Sequence, residues 1–151
     1  MGKIICQVDS REQQNKEVIE HFQFLGKPYF VSKLYAGDYT NFLRPKCVID
    51  LKKDLLEVAN NLGKDHARFL REVLRAKNEM KCDLVVLIRE PLQSLEEVKE
   101  WHNPLSKVKG ETLYKIMRTM TERYGVLWRF CTREQAGQKI LSILEWYDKN
   151  R

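Results

Sequence analysis

The sequence predicts an α/β fold, a mixed central β-sheet flanked by helices, and three observations carry that reading. Short β-branched runs recur at Val48-Ile49, at Leu84-Val85-Val86-Leu87-Ile88 and around Val126. Stretches in which apolar residues return every three or four positions lie between them, so strands and helices alternate along the chain. One early pair of extended segments is separated only by Arg44-Pro45-Lys46, a connection suited to an antiparallel hairpin and too short for a parallel crossover. A hairpin inside an alternating order makes the sheet mixed.

The elements follow in order. Residues 3–8 read as a buried strand, and residues 13–25 as an amphipathic helix whose apolar side is Val18, Ile19, Phe22 and Leu25, ended by Gly26-Lys27-Pro28. Residues 29–34 form the next strand. The hairpin spans residues 37–52, with extended stretches on either side of a proline-containing turn. A short helix over 54–61 is broken by Asn60-Asn61-Leu62-Gly63, and a longer one covers 64–80 with Ala67, Leu70, Val73 and Leu74 as its expected core stripe. Residues 83–88 are a buried strand closed by Arg89-Glu90-Pro91. Segment 92–110 holds a short acidic helix ending near Trp101 and then a loop. Leu113, Ile116, Met117, Met120 and Tyr124 mark one helix face capped by Gly125, residues 126–130 a strand, and residues 135–147 the last helix.

At 151 residues and 43% hydrophobic content the chain suits one core, hence a single domain over 1–151. No signal-peptide pattern and no apolar run of membrane-spanning length is present, so an intracellular, soluble protein is expected. Cys6, Cys47, Cys82 and Cys131 are scattered, with no Cys-x-x-Cys pair and no histidine at ligand spacing, which argues against zinc, and Cys6, Cys47 and Cys131, in or beside expected strands, read as reduced core thiols. His66 and His102 receive no role. Trp101 in its loop fits either a base-stacking tip or a cover for the core edge. A formal charge of +6 favours an anionic partner. Its distribution is more telling: Lys64, Arg68, Arg71 and Arg75 share one helical face, which is either a solvated face or a track for a nucleic-acid backbone.

The chemistry lies in the hairpin. Alternation along a strand puts Asp50 and Lys52 on one face, one pleat apart, and Asp38 heads the preceding strand, so two carboxylates and an ammonium converge. Carboxylates about 4 Å apart repel by roughly 4 kcal/mol at an effective dielectric near 20, and stay ionised together only beside a compensating cation. Magnesium suits such a site, because it accepts one or two carboxylates and keeps several waters. With Lys52 to orient water or offset charge on a phosphorane, the arrangement is that of a metal-dependent phosphodiesterase.

These segments resemble the XPF/Hef-type structure-specific nuclease domain, a branch of the restriction-endonuclease-like superfamily with its Asp...(Asp/Glu)-x-Lys core. Val8-Asp9-Ser10-Arg11-Glu12 is similar to the family's opening Val-Asp-x-Arg-Glu, Gly37-Asp38 to its Gly-Asp, and Asp50-Leu51-Lys52 to its Glu-Arg-Lys. The likeness continues through Arg68-Phe69 and the strand from Leu84. It implies an endonuclease dependent on Mg2+ or Mn2+, acting on branched, flapped or junction DNA as a homodimer, here without a helix-hairpin-helix module. Carried over by motif, Asp38 and Asp50 bind the metal with the backbone carbonyl of Leu51, and Lys52, Asp9 and Glu12 complete the catalytic set. Arg11, Lys64, Arg68, Arg71 and Arg75 contact nucleic acid. The dimer surface is expected on Leu113, Ile116, Met117 and Met120 of one helix and Ile140, Leu141, Leu144 and Tyr147 of the next.

Plainer roles stay open for two residues: Asp9 as a helix cap and Glu12 as a partner of the helix dipole. Three departures from the family pattern stand out. Asp50 replaces Glu, Leu51 replaces Arg, and Leu56 occupies the place of the closing acid, with Asp54 and Glu57 on either side. The rival readings are a catalytically weak or inactive DNA-binding or scaffolding module, and a nuclease acting on RNA.

Overall fold

The hairpin residues that alternate in sequence also alternate across the sheet, and this sorts the whole molecule into layers. In a computed structural model, which describes residues 3–12 and 15–151, Val48 packs with Leu84, Val86 and Ile88 on one face. Ile49 and Leu51 pack with Val85 and Leu87 on the other. Among the described residues, six strands make up the sheet: β1 (Cys6–Asp9), β2 (Tyr29–Ser32), β3 (Tyr39–Asn41), β4 (Cys47–Lys52), β5 (Asp83–Ile88) and β6 (Leu127–Phe130). Their spatial order is β2-β1-β3-β4-β5-β6. Strand β3 is antiparallel to both β1 and β4, while β1–β2, β4–β5 and β5–β6 are parallel pairs, so the sheet is mixed.

Among the described residues, five α-helices cover it. Helices α2 (Leu55–Leu62), α3 (His66–Leu74) and α4 (Gly110–Tyr124) bury their apolar sides against the Val48 face. Helices α1 (Lys16–Leu25) and α5 (Ala136–Asn150) cover the Ile49 face, and His21 of α1 lies against Gly137 of α5. The region after β5 supplies a 3₁₀ turn, Leu95–Glu100, whose Ser94 and Glu97 form a reciprocal capping box. Trp101 packs at the edge of the core, so the plainer of its two readings is the one seen. All four cysteines are free and buried.

Several expectations need correction. The helix expected from residue 13 is seen from Lys16, and residues 13 and 14 lie outside the described residues. Within α1, Val18 and Phe22 are buried, but Leu25 is exposed at the helix end beside the left-handed Gly26 cap. The long basic helix starts at His66 rather than residue 64, and Arg75–Glu79 continues it as a π-helical turn. Its core stripe is Phe69, Val73 and Ala76, spaced four and three, whereas Ala67 and Leu74 are exposed. The aromatic ring decides that register, since Phe69 stacks on Trp128 in the core.

The expected dimer surface is also corrected. Leu113, Met117 and Met120 are consumed by the core under α4, and Ile140, Leu141, Leu144 and Tyr147 by the core under α5. The two helices lie on opposite faces of the sheet, so their apolar sides do not merge into one surface. A six-stranded sheet presents two faces to cover, which is why that much apolar area stays inside.

Candidate active site

The site forms where the antiparallel strand β3 begins between its two neighbours. Gly37 has φ of +74°, and a Cβ there would stand 2.9 Å from Cβ of Val48, so glycine is required at this turn. The chain then enters Asp38, whose N–H donates to the Ile49 carbonyl at 2.7 Å and whose carbonyl accepts the N–H of Asp9 at 2.7 Å. Both bonds belong to the sheet and fix the backbone of Asp38 between β1 and β4. Its side chain is fixed as well, accepting the N–H of Leu51 at 2.8 Å.

Asp50 projects from β4 on the Val48 face, on the same side as Asp38. It is only 4% exposed, and its Oδ2 lies 3.1 Å from Lys52 Nζ as an ion pair. Asp38, Asp50, Leu51 and Lys52 line one cleft of about 550 Å3. Its walls carry Asp9, Arg11 and Glu12 from the end of β1 and Arg68, Arg71, Glu72 and Arg75 from α3 and the π-helical turn. Three cationic side chains therefore stand along one wall above two acids on the floor.

The electrostatics follow from that crowding. Burial, then the charges of Asp50 and Glu12, push the Asp38 carboxyl well above the ordinary aspartate range, against the opposing bond from Leu51. Burial would pull the Lys52 ammonium down, but the adjacent Asp50 carboxylate outweighs it and holds Lys52 above its usual value. Burial and Asp50 likewise raise Glu72, with the Gly37 N–H, Lys52 and Arg75 acting in the other direction. A floor on which one acid resists ionisation, through burial first and then through the acid beside it, is short of positive charge.

A divalent cation fits this donor set. Asp50 offers Oδ2, whose close partner is the Lys52 ammonium at 3.1 Å, and burial followed by like charge raises Asp38. Among the described residues no three His, Cys, Asp or Glu side chains are grouped so as to hold a metal ion. Two carboxylates completed by backbone oxygen and water match the habit of magnesium rather than of zinc.

The other expected residues fall as follows. Asp9 is 4% exposed and its carboxylate is engaged by the Leu34 N–H at 2.8 Å and by Arg11 Nε at 3.1 Å. It therefore joins β1 to the segment after β2, while the N-cap position of α1 is Asn15. Arg11 is turned onto Asp9 and the Leu34 carbonyl, the latter at 2.8 Å, and keeps its exposed flank at the cleft rim. Glu12 lies in the cleft within the field of Asp38. Lys64 precedes α3 and is not among the cleft-lining residues, unlike Arg68, Arg71 and Arg75. Asp54 caps α2 by accepting the Glu57 N–H at 2.9 Å, and Glu57 accepts the Lys53 N–H at 2.9 Å at the edge of the cleft. Sequence reasoning missed Glu72 and Tyr35, both of which line the cleft. An acid between arginines on a helix reads as surface charge, and only the tertiary packing of α3 reveals its setting.

A mixed sheet with an acid at the start of its central antiparallel strand and an Asp-x-Lys pair on the next defines the restriction-endonuclease-like class. The chain belongs to the ERCC4 domain family, whose model matches residues 8–144. Solved structures agree with the fold. XPF from Aeropyrum pernix superimposes with a TM-score of 0.71 at 17% identity, over 97% of this chain and 62% of that one. XPF from the same organism in complex with DNA gives a TM-score of 0.71 at 18% identity, over 99% and 67%. The chain thus spans roughly two thirds of the structures it matches. Among curated proteins none matches. No helix among the described residues is long and apolar enough to cross a membrane.

Proposed function

We propose that this protein is a divalent-metal-dependent endonuclease that hydrolyses phosphodiesters in branched, flapped or junction DNA. The observation that carries the reading is the cleft in which Asp38, Asp50 and Lys52 meet beneath Arg68, Arg71 and Arg75. Support comes from membership of a nuclease family, and from the DNA complex of the Aeropyrum pernix XPF, a protein of the same fold.

In this account the arginines of α3 and the turn after it neutralise phosphates and lay the backbone across the cleft. Asp38 and Asp50, with the Leu51 carbonyl, would hold Mg2+ or Mn2+. When bound, such a cation polarises a phosphate oxygen and lowers the pKa of a bound water. Lys52, 3.1 Å from Asp50, presents its ammonium to the charge that grows on the phosphorane. Glu12, which lines the cleft near Asp38, would orient the attacking water. Asp9 keeps Arg11 at the rim, where its exposed flank meets DNA.

The test is incubation of the purified chain with magnesium and labelled linear, flap and four-way DNAs. Cutting of branched forms that ceases in EDTA is the expected result. Binding without cutting would identify a scaffolding module, and cutting confined to RNA would overturn the substrate. Pairing of two chains belongs to the same proposal and is read by sedimentation, on a surface other than the buried sides of α4 and α5.

A further inference from the structure

Glu72 lies on the cleft-facing side of α3, with Arg68 one turn before it and Arg75 one turn after, and it is half-buried there. Its Oε1 accepts the N–H of Gly37 at 3.0 Å, a bond across 35 residues of sequence. That turn admits little adjustment, because Gly37 is in the left-handed region and a Cβ would meet Val48 at 2.9 Å and the Ile49 carbonyl at 3.3 Å. After the turn, Asp38 is held from the sheet, through Ile49, Asp9 and Leu51. Before it, the amide that faces α3 is held by Glu72. Meanwhile Leu56, in the place of the family's closing acid, is not among the cleft-lining residues, and Asp54 serves as the cap of α2.

We propose that Glu72 is a positioning residue that clamps the Gly37-Asp38 turn to the basic helix, so that the Asp38 carboxylate and the phosphate-binding arginines keep one fixed geometry. The role rests on the nuclease reading above and adds to it a residue from outside the hairpin. The clamp requires an acceptor at Oε1 rather than a negative charge. An amide oxygen supplies the same acceptor, and this distinguishes a clamp from a metal ligand or a general base.

The experiment compares the unmodified protein with Glu72→Gln and Glu72→Ala in magnesium-dependent cleavage of a labelled flap DNA, together with amide exchange at Gly37 followed by NMR without metal or DNA. Glu72→Ala should lose about 10²-fold in kcat with KM for DNA unchanged, the scale of a misplacement near 1 Å. Its Gly37 amide should exchange about tenfold faster once the charged acceptor is gone. Glu72→Gln should stay within about threefold of the unmodified protein in both readouts, as expected where the acceptor is retained. Should Ala not fold, Glu72→Met keeps the stem without the acceptor and serves the same comparison. A Gln variant as slow as Ala would overturn the clamp in favour of a charge role, and an Ala variant with normal kcat or protected Gly37 would overturn it outright. Were the unmodified chain inactive on every DNA, the nuclease reading would fail, and Gly37 exchange alone would still judge the clamp.

Discussion

The N–H of Leu51 donates to Oδ2 of Asp38 at 2.8 Å, so the peptide that separates Asp50 from Lys52 also fixes the other acid of the floor. Asp38→Asn keeps an oxygen acceptor for this bond and removes one of two like charges. The substituted protein should fold with a melting temperature in EDTA at least equal to that of the unmodified chain, and it should not cleave. Asp50→Asn should likewise abolish cleavage, but it should melt lower than the unmodified chain, because it leaves the nearly buried Lys52 ammonium without its carboxylate. Full activity in both, measured on flap DNA, would remove these acids from the chemistry.

Lys52 is 12% exposed at its side chain and paired with Asp50, which makes its ammonium a preorganised donor rather than surface charge. Lys52→Ala is expected to slow cleavage by about 10² to 10³, or roughly 2.7 to 4 kcal/mol in the barrier, as for other fixed donors to a charged transition state. Single-turnover kinetics at saturating protein reads this directly. A loss under threefold would return Lys52 to a structural role.

These hairpin residues were legible in sequence because strand alternation is local: once Val48-Ile49 is a strand, Asp50 and Lys52 must share a face. Asp38 followed from the length of the turn. Glu72 was not legible, since its position depends on a contact with Gly37 made 35 residues away. The register of α3 was misplaced for a related reason. Ala67 and Leu74 satisfy helical spacing as well as Phe69 does, and only the stacking of Phe69 on Trp128 selects the buried side. The roles of α4 and α5 could not be separated from composition, because an apolar helix face looks the same whether it meets its own sheet or a partner.

The wall of the cleft gives a salt-dependence prediction. If Arg68, Arg71 and Arg75 each neutralise one phosphate, replacing all three by Ala should reduce the slope of log affinity against log salt by about 2 to 3, at roughly 0.9 per contact on duplex DNA. Helicity should be retained, because Phe69, Val73 and Ala76 dock the helix from its other side. Fluorescence anisotropy across a salt series checks the slope. An unchanged slope would leave these arginines facing only solvent.

The buried thiols set an alkaline limit on stability. Burial pushes Cys6 and Cys47 from an ordinary value of 9.0 up to about 12. Between those values the unfolded chain has released protons that the folded chain retains, so stability falls as pH rises from about 9 toward 12. Urea midpoints should decline over that window, and less steeply in Cys6→Ala, whatever its stability at neutral pH. At neutral pH a thiol reagent should find no rapidly reacting group in the folded protein and all four cysteines in urea.

Leu144 separates a core from an interface. It is 1% exposed, packed among Ile140, Leu141 and the sheet residues Val85 and Leu87 beneath α5. Leu144→Glu removes about 1.5 to 3 kcal/mol of apolar burial. It also places a carboxylate where nothing can solvate it, at a cost of several kcal/mol more. Together these approach the whole stability of a domain this size, commonly about 5 to 15 kcal/mol. The variant should therefore be unfolded or insoluble, with no cooperative thermal transition by circular dichroism. A folded, monomeric Leu144→Glu protein beside a dimeric parent in sedimentation would move this residue to a subunit interface and overturn its assignment to the core.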